Sequence, residues 1–477
     1  MTAGEGIGRR LGPMLEVVAD GRPGIGAGHL GRCLALVQAW IGGGGRARIL
    51  DDPPRPTGWV ERYRAAGAHP VGRAQPGQEA DVVVVDGYSY EAETLAELRT
   101  TSRVVAIDDF AMAGPRPADI VVDQNLGADP GRYRPLIGDG PMVLAGPRYV
   151  LMREEVVGAR PSTRPDRSVV PRRMLVAAGG DPSPAVSALF ASVATAAAKR
   201  HGLEMVALSG VRDLGPVLGS GDLALSAAGT TVWELALFAV PTIVVAVADN
   251  QQRVARSVGG ARVAVDAGDL AEVDDVSLGA AIDSLVASAE QREVLASNAW
   301  ALVDGRGAQR VAAAVRASLL TLRRAGPDDA ELLWTWANDP EVRGSSFDPQ
   351  PIPWDDHVAW LGRVLATADE GIWIASDSLG RLIGQVRVDG AATGTGTIGV
   401  SVAAERRGEG WAAPLLVAAS QRAEAELAGR GLQRLRADVL SANLRSARAF
   451  IAADFDRGPD ASRDGQQHQT YTRLRHG

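Results

Sequence analysis

The chain has 477 residues, too many for one ordinary core and suited to three domains of roughly 150 residues each. With 46% apolar and 22% charged residues it is globular rather than disordered, and a net charge of -7 gives no basic field for nucleic acid. The one cysteine, Cys33, excludes an internal disulfide framework and any multi-cysteine metal site; the N-terminus lacks a signal-peptide core and no run reaches the roughly 18 apolar residues of a membrane span, so a cytoplasmic protein without a membrane partner is expected.

From residue 14 to about 153, short β-rich apolar runs (14–19, 82–85, 104–107, 120–122) alternate with helical stretches. Strands apolar on both faces and separated by helices predict a parallel sheet covered on each side, that is, a doubly wound α/β domain. A Pro/Arg/Ser-rich stretch, 160–173, reads as a linker, and the run 174–178 followed by Gly-Gly-Asp-Pro restarts the rhythm. A second α/β domain follows, with strands at 223–226 and 242–247, a helix from about 231 and a helical close from 277 to 320. Paired domains of this kind bind ligands in the crevice at the carboxyl ends of their strands. After residue 320 an amphipathic helical entry with tryptophans leads into alternating strands at 372–375, 382–388 and 397–402, which predicts a mixed α+β third domain. The boundaries expected are 14–158, 170–318 and 321–477.

The segment VVADGRPGIGAGHLGRCLALVQAW reads as strand, loop and helix. Gly24, Gly26 and Gly28 let the backbone approach a ligand, and free N–H groups at a helix start favour a diphosphate. Glycine-rich βα turns also occur simply as tight connections. His29, at the helix start, carries an imidazole suited to taking a proton from water; the plainer alternative is a hydrogen-bonded structural histidine. A second cluster, SAAGTTVWEL, places Gly229, Thr230 and Thr231 where backbone and hydroxyl donors can hold phosphate, with Glu234 one turn on to accept from ribose hydroxyls. The competing reading is a capping box completed by Glu234.

Together these segments resemble a definite family. GIGAGHLGRCLAL, the Asp86–Tyr88 tripeptide, AIDDFA, VVDQNLG, LAGPRYVLMREE, AAGGDP, SAAGTTVWEL and ADNQ look like the ordered landmarks of the pseudaminic acid pathway UDP-sugar hydrolases, which are similar to glycosyltransferases of GT-B architecture. The resemblance spans about residues 14–318. It implies metal-independent hydrolysis of UDP-2,4-diacetamido-2,4,6-trideoxy-β-L-altrose by water at the anomeric carbon, with His29 as general base and Tyr88 beside the reaction centre. It also implies that the nucleotide is held by residues 226–234, Asn250 and Gln251. Where that family reads Asp-His-Tyr this chain has Asp86-Gly87-Tyr88, and where it reads Gly-Gly-Ser this chain has Ala228-Gly229-Thr230. A glycosyltransferase using a UDP-amino sugar, or an inactive UDP-sugar-binding scaffold, are the alternatives.

In TIGVSVAAERRGEGWAAPLL an alternating strand runs into Arg407-Gly408-Glu409-Gly410-Trp411-Ala412 and then a long helix. Consecutive backbone N–H groups in such a turn suit a pyrophosphate. An ordinary loop with a solvated Arg406–Arg407 pair is the alternative. The pattern is similar to the acetyl-CoA loop of GNAT acyltransferases, and the strand LRADVL followed by SANLRSARAFIAADF matches that family's strand and Asn-led helix. The resemblance, over about 322–474, implies acetyl-CoA as co-substrate, held by Val400, Val402, Arg407, Gly408, Gly410, Trp411, Ala412, Asn443 and Ser446. WANDPEVRGSSFDPQPIPWDDHVAWL and LIGQVRVD look like the subgroup that acetylates the C4 amine of a UDP-4-amino-4,6-dideoxy-AltNAc. The acid of related enzymes is commonly a tyrosine seven residues after the Asn, here Phe450, which cannot donate a proton; Tyr471 or water are the replacements. His357 either orients substrate or lies on a helix surface.

Overall fold

The computed structural model describes residues 12–20, 28–51, 57–72, 79–88, 90–112, 114–138, 140–211 and 213–474. Gly24 and Gly26 lie outside the described residues. The chain divides into two compact units, Met1–Val311 and Ala312–Gly477.

The first unit holds two sheets. Strands β1 (Met14–Ala19), β2 (Arg46–Leu50), β3 (His69–Val71), β4 (Val82–Asp86), β5 (Arg103–Ile107), β6 (Ile120–Asp123) and β7 (Met142–Ala145) form a seven-stranded sheet in the order β3-β2-β1-β4-β5-β6-β7. All its neighbours are parallel. β4 is Val-Val-Val-Val-Asp and buried at every position, as a strand covered on both faces must be. Strands β8 (Arg173–Ala177), β9 (Glu204–Ala207), β10 (Leu223–Ala227), β11 (Thr242–Ala246) and β12 (Val265–Asp269) form the second sheet, order β12-β11-β10-β8-β9, also parallel throughout.

Both strand orders reverse once, and the reversals fix where a ligand fits. In the first sheet the chain leaves β1 toward one edge and returns at β4 on the other side of β1; in the second it does the same at β8 and β10. Loops leaving neighbouring strands at such a point diverge to opposite faces and open a crevice at the strands' carboxyl ends. The Gly28–Gly42 helix follows β1, Asp86–Tyr88 ends β4, Ala177–Gly180 ends β8 and Ala227–Thr231 ends β10. Every candidate residue expected in this part of the chain and described here therefore sits on one of these reversals or on the Asp249–Gly260 helix after β11.

The second unit carries a seven-stranded mixed sheet: β13 (Thr321–Arg324), β14 (Gly371–Ser376), β15 (Leu382–Asp389), β16 (Thr395–Val402), β17 (Arg434–Leu440), β18 (Asp456–Arg463) and β19 (Gln466–Leu474), in the order β13-β14-β15-β16-β17-β19-β18. Only β16 and β17 run parallel; the other pairs are antiparallel. Leu333, Leu361, Val364, Ile372 and Ile374 form a core on one face under the Ala330–Ala337 and Trp354–Ala366 helices. The observed architecture is the expected one, two parallel α/β sheets followed by a mixed α+β sheet. No helix among the described residues is long and apolar enough to cross a membrane.

Candidate functional site

In the first unit the reversal between β1 and β4 brings His29 and Asp86 together. His29 Nδ1 lies 2.5 Å from Asp86 Oδ1, and both side chains are buried. A contact that short needs the proton on Nδ1, which leaves Nε2 as the bare, accepting nitrogen. Arg32, one turn along the same helix face, donates Nε to Asp86 Oδ2 at 2.6 Å and Nη2 to Asp86 Oδ1 at 2.7 Å. Its Nη1 donates to Asp109 at 3.0 Å. Arg32 Nη2 also stands 3.1 Å from His29 Nδ1, but a nitrogen already carrying a proton cannot accept, so this is contact and not bonding.

Burial alone would raise the Asp86 carboxyl; the charges and hydrogen bonds of Arg32 and His29 outweigh it and hold the group well below the usual carboxylate range. Asp109 is lowered in the same way, burial being overcome by Arg32. Two carboxylates thus face one guanidinium. Asn125 Nδ2 donates to Asp109 at 2.7 Å and to Asp123 at 3.0 Å, extending the network. Burial pushes the Asp123 carboxyl up to about 6.

Tyr88 stands edge-on to His29, ring centroids 5.7 Å apart, and donates its hydroxyl to Asp109 Oδ2 at 2.6 Å. Burial, with the charge and hydrogen bond of Asp109, pushes the phenol well above its ordinary value, so it acts as a donor and wall, not as a base. Asn250 reaches the same hydroxyl.

The second sheet supplies the facing wall. Gly28, His29, Arg32 and Asp109 line one cavity with Gly229, Thr230, Thr231, Asn250 and Gln251, and a cavity of about 370 Å³ beside it is bordered by Thr230, Thr231 and Glu234. A Cβ added at Gly28 would come into van der Waals contact with the Thr230 side chain at 3.4 Å, so the two helix starts approach across the cleft. The capping box does not form: Thr230 caps the Thr231–Leu237 helix without a side-chain bond, and Glu234 pairs with buried Arg153 at 3.0 Å. Gln251 accepts from the Val247 N–H, which leaves its amide nitrogen toward the cleft. Sequence reasoning missed Arg32, Asp109 and Arg153, and treated Asp86 only as a landmark.

Gly87 has φ +154°, and a Cβ there would meet Asp20 Cβ at 2.7 Å and the Tyr90 ring at 3.0 Å. Restoring a histidine by Gly87→His is expected to destabilise this unit by about 2–4 kcal/mol, through backbone strain and overpacking. Urea unfolding of the variant measures it; an unchanged midpoint would contradict the geometry.

In the second unit β16 and β17 pair only at Thr395–Thr397 with Arg434–Arg436. Beyond that level they diverge, and β16 runs on through Val400 and Val402 bonded only to β15. The wedge leads to the loop before the Ala412–Leu427 helix, where Gly408 (φ +81°) and Gly410 (φ +73°) hold left-handed conformations and the Glu409 N–H between them donates to the Arg406 carbonyl. Ala412 starts the helix and Pro414, with no N–H, sits in its first turn. Trp411 is buried, with Arg316 over its ring at 4.5 Å and its indole N–H on Glu409 at 3.1 Å. Burial lowers the Arg316 guanidinium to about 10.

Arg407 pairs with Asp339 at 2.8 Å and Glu341 at 3.2 Å, so its side chain is engaged within the protein. Arg406 is 4% exposed and bonds Glu409 at 2.9 Å, which counts against the alternative of a solvated Arg406–Arg407 pair. Asn443 caps the Leu444–Ala452 helix by accepting from the Ser446 N–H at 3.0 Å. Phe450 is buried, stacked on Tyr471 and edge-on to Phe455, and the Tyr471 hydroxyl donates to Gln469 at 2.7 Å. His357 does not lie on the helix surface: it is 2% exposed, packed between Trp354 and Trp360, with Nε2 on the Ala330 carbonyl.

No curated protein matches the chain. Solved structures similar to about a third of the chain include two acetyltransferases. The spermidine N-acetyltransferase of Vibrio cholerae, in complex with CoA and spermine, is 18% identical with TM-score 0.30 over 33% of this chain and 96% of that one. Aminoglycoside acetyltransferase AAC(6')-Ib, in complex with coenzyme A, is 19% identical with TM-score 0.28 over 33% and 95%. Residues 320–456 match the family described as acetyltransferase (GNAT) domain. The C-terminal unit therefore carries a GNAT acetyltransferase domain.

Proposed function

We propose that the chain joins two consecutive enzymes of nucleotide-sugar metabolism, organised as domains 14–158, 170–318 and 321–477. The C-terminal domain transfers acetyl from acetyl-CoA to the C4 amine of UDP-4-amino-4,6-dideoxy-β-L-AltNAc. The preceding pair hydrolyses the resulting UDP-2,4-diacetamido-2,4,6-trideoxy-β-L-altrose to UDP and free sugar. The family match supports acetyl transfer, and the acceptor rests on the sequence resemblance. The observation that carries the second is the buried His29–Asp86 pair at the floor of a cleft lined by Gly28, Gly229 and Thr230.

UDP is a good leaving group, so the protein's work is to place a water, accept its proton and balance diphosphate charge. His29 Nε2 accepts the proton as the water oxygen bonds C1 and the C1–O bond to UDP breaks. Asp86 holds the ring and stabilises the imidazolium that forms. Backbone N–H groups at the start of the Gly28–Gly42 helix and around Gly229–Thr231 receive the diphosphate, and Asn250 and Gln251 border it. Tethering raises the local concentration of the shared intermediate.

Incubation with the UDP-amino sugar and acetyl-CoA should yield CoA thiol, then UDP and a reducing sugar. In His29→Ala, UDP release should fall at least about 100-fold while UDP binding and thiol release persist. Unchanged UDP release would end the hydrolase reading, and a glycoside in place of reducing sugar would convert it to a transferase.

A further inference from the structure

Just past the end of β5 the backbone turns left-handed twice, at Phe110 (φ +57°) and Ala111 (φ +61°). A bulky residue holds that conformation only where its surroundings impose it, and such outliers gather at functional sites. Here the surroundings come from both halves of the cleft. The Phe110 N–H donates to Asp123 Oδ2, on β6, at 2.9 Å. The Ala111 N–H donates to the Tyr133 hydroxyl, which itself donates to Asp123 at 3.0 Å. From the other side Arg253, on the Asp249–Gly260 helix, donates to the Phe110 carbonyl at 3.2 Å and lies over its ring at 5.5 Å.

The two side chains serve different cores. Phe110, 4% exposed, belongs to the core that holds Leu175, Ala224 and Val244 of the second sheet with Val254 and Val258 of the Asp249–Gly260 helix. Ala111 packs against the core of the first sheet. Consecutive residues thus join two hydrophobic cores. The residue before them is Asp109, which accepts from Arg32, Tyr88 and Asn125. Asn125 also bonds Asp123, so the carboxylate that fixes the Phe110 N–H fixes a partner of Asp109 as well. Arg32 bonds Asp86, and Tyr88 stands against the His29 ring.

We propose that Phe110 is a positioning residue, an apolar plug through which the second sheet and its Asp249–Gly260 helix hold Asp109 in the network around His29; the assignment rests on the hydrolase reading above. The base is then aligned when the two halves of the cleft are seated on each other. Asn250 and Gln251, which border the diphosphate in that reading, lie in the first turn of the helix that carries Arg253. Nucleotide contacts and base alignment therefore share one element. Withdrawing the plug leaves the nucleotide's own contacts in place and lets Asp109 drift from Arg32 and Tyr88. A displacement of about 1 Å in such a network can cost about 100-fold in rate.

The test is UDP release from UDP-2,4-diacetamido-2,4,6-trideoxy-β-L-altrose by the full chain, with UDP affinity measured by calorimetry. Phe110→Ala should lower kcat about 30- to 100-fold and leave the UDP dissociation constant within about threefold. Phe110→Leu, which keeps an apolar plug, should restore the rate to within about fivefold of wild type. In an Asp109→Asn background Phe110→Ala should cost less than about threefold more, because the plug acts through that carboxylate. Arg253→Gln, at an exposed helix position, should lower kcat about 5- to 10-fold with affinity again unchanged, and it carries the test if Phe110→Ala does not fold. An unchanged kcat in Phe110→Ala or Arg253→Gln overturns the assignment. So do equal rate losses with and without the Asp109 carboxylate, and so does a loss of UDP affinity that matches the loss of rate; either marks a packing role. No UDP release from the wild-type chain overturns the hydrolase reading itself, a separate outcome.

Discussion

Asp86→Asn is expected to lower UDP-sugar hydrolysis by about 1,000- to 10,000-fold while UDP affinity stays within a few-fold. A carboxylate at that position can only accept, and so fixes the proton on His29 Nδ1 and the lone pair on Nε2. An amide can present N–H to Nδ1 instead, which favours the other tautomer and leaves no base facing water. Single-turnover release of UDP, alongside UDP titration, separates chemistry from binding. The same substitution has a pH signature in stability. The folded Asp86 carboxyl lies below its unfolded value, so its contribution is fully present above about pH 4 and is lost as pH falls toward the folded value. The melting difference between wild type and Asp86→Asn should be largest near neutrality and shrink below pH 4. A difference constant with pH would mean that Asp86 is not ionised against Arg32.

Gly408→Val and Gly410→Val should each raise KM for acetyl-CoA about 10- to 100-fold. Both residues hold φ near +75 to +80° in the loop before the Ala412–Leu427 helix. A β-branched side chain in that region costs about 1–2 kcal/mol or forces the loop into another shape, and either turns N–H groups away from a pyrophosphate. At Gly408 no protein atom lies within 4 Å of an added Cβ, so the backbone, not crowding, makes the demand. Acetyl-CoA titration by calorimetry checks it. Affinity within twofold of wild type for both variants would remove the loop from the binding site.

The fold was legible where strands were long and apolar. The runs that became β4, β5, β6, β10 and β11 lack internal charge and β1 has one acid, Glu16, within an apolar run; their helical spacers gave the parallel class directly. β2 (Arg-Ala-Arg-Ile-Leu), β3 (His-Pro-Val) and β9 (Glu-Met-Val-Ala) are short or charged and were not read as strands. Such strands take their place from pairing with neighbours, a tertiary effect that periodicity does not carry. The helical close expected over 277–320 is three helices, Asp275–Ala287, Ala289–Leu302 and Gly307–Ala317.

At the candidate site, His29 and the Gly229–Thr231 turn could be singled out from sequence because loop chemistry is local. Asp86, Arg32 and Asp109 were not, because their meaning is a distance between strands and helices far apart in sequence. A partial signal existed: Arg32 sits one turn from His29, and Asp86 is a lone acid closing a run of four valines, a place where burial demands a partner. Read together they predict an ion pair at the carboxyl edge of the sheet. His357 misled for the opposite reason, since its position in the Trp354–Ala366 helix gave no warning that two tryptophans and a carbonyl would enclose it.

The incomplete ladder between β16 and β17 makes the C-terminal sheet one participant short. Beyond Thr397 and Arg436 the two strands no longer pair, and in the proposed acetyl-CoA complex an extended, amide-bearing arm would finish the sheet there. Occupancy and folding then draw on the same bonds, and at about a hundredfold excess over its dissociation constant such a ligand adds roughly 2.7 kcal/mol to the domain's resistance to unfolding. The lifetime of this half of the molecule would rise and fall with the cell's supply of activated acyl groups.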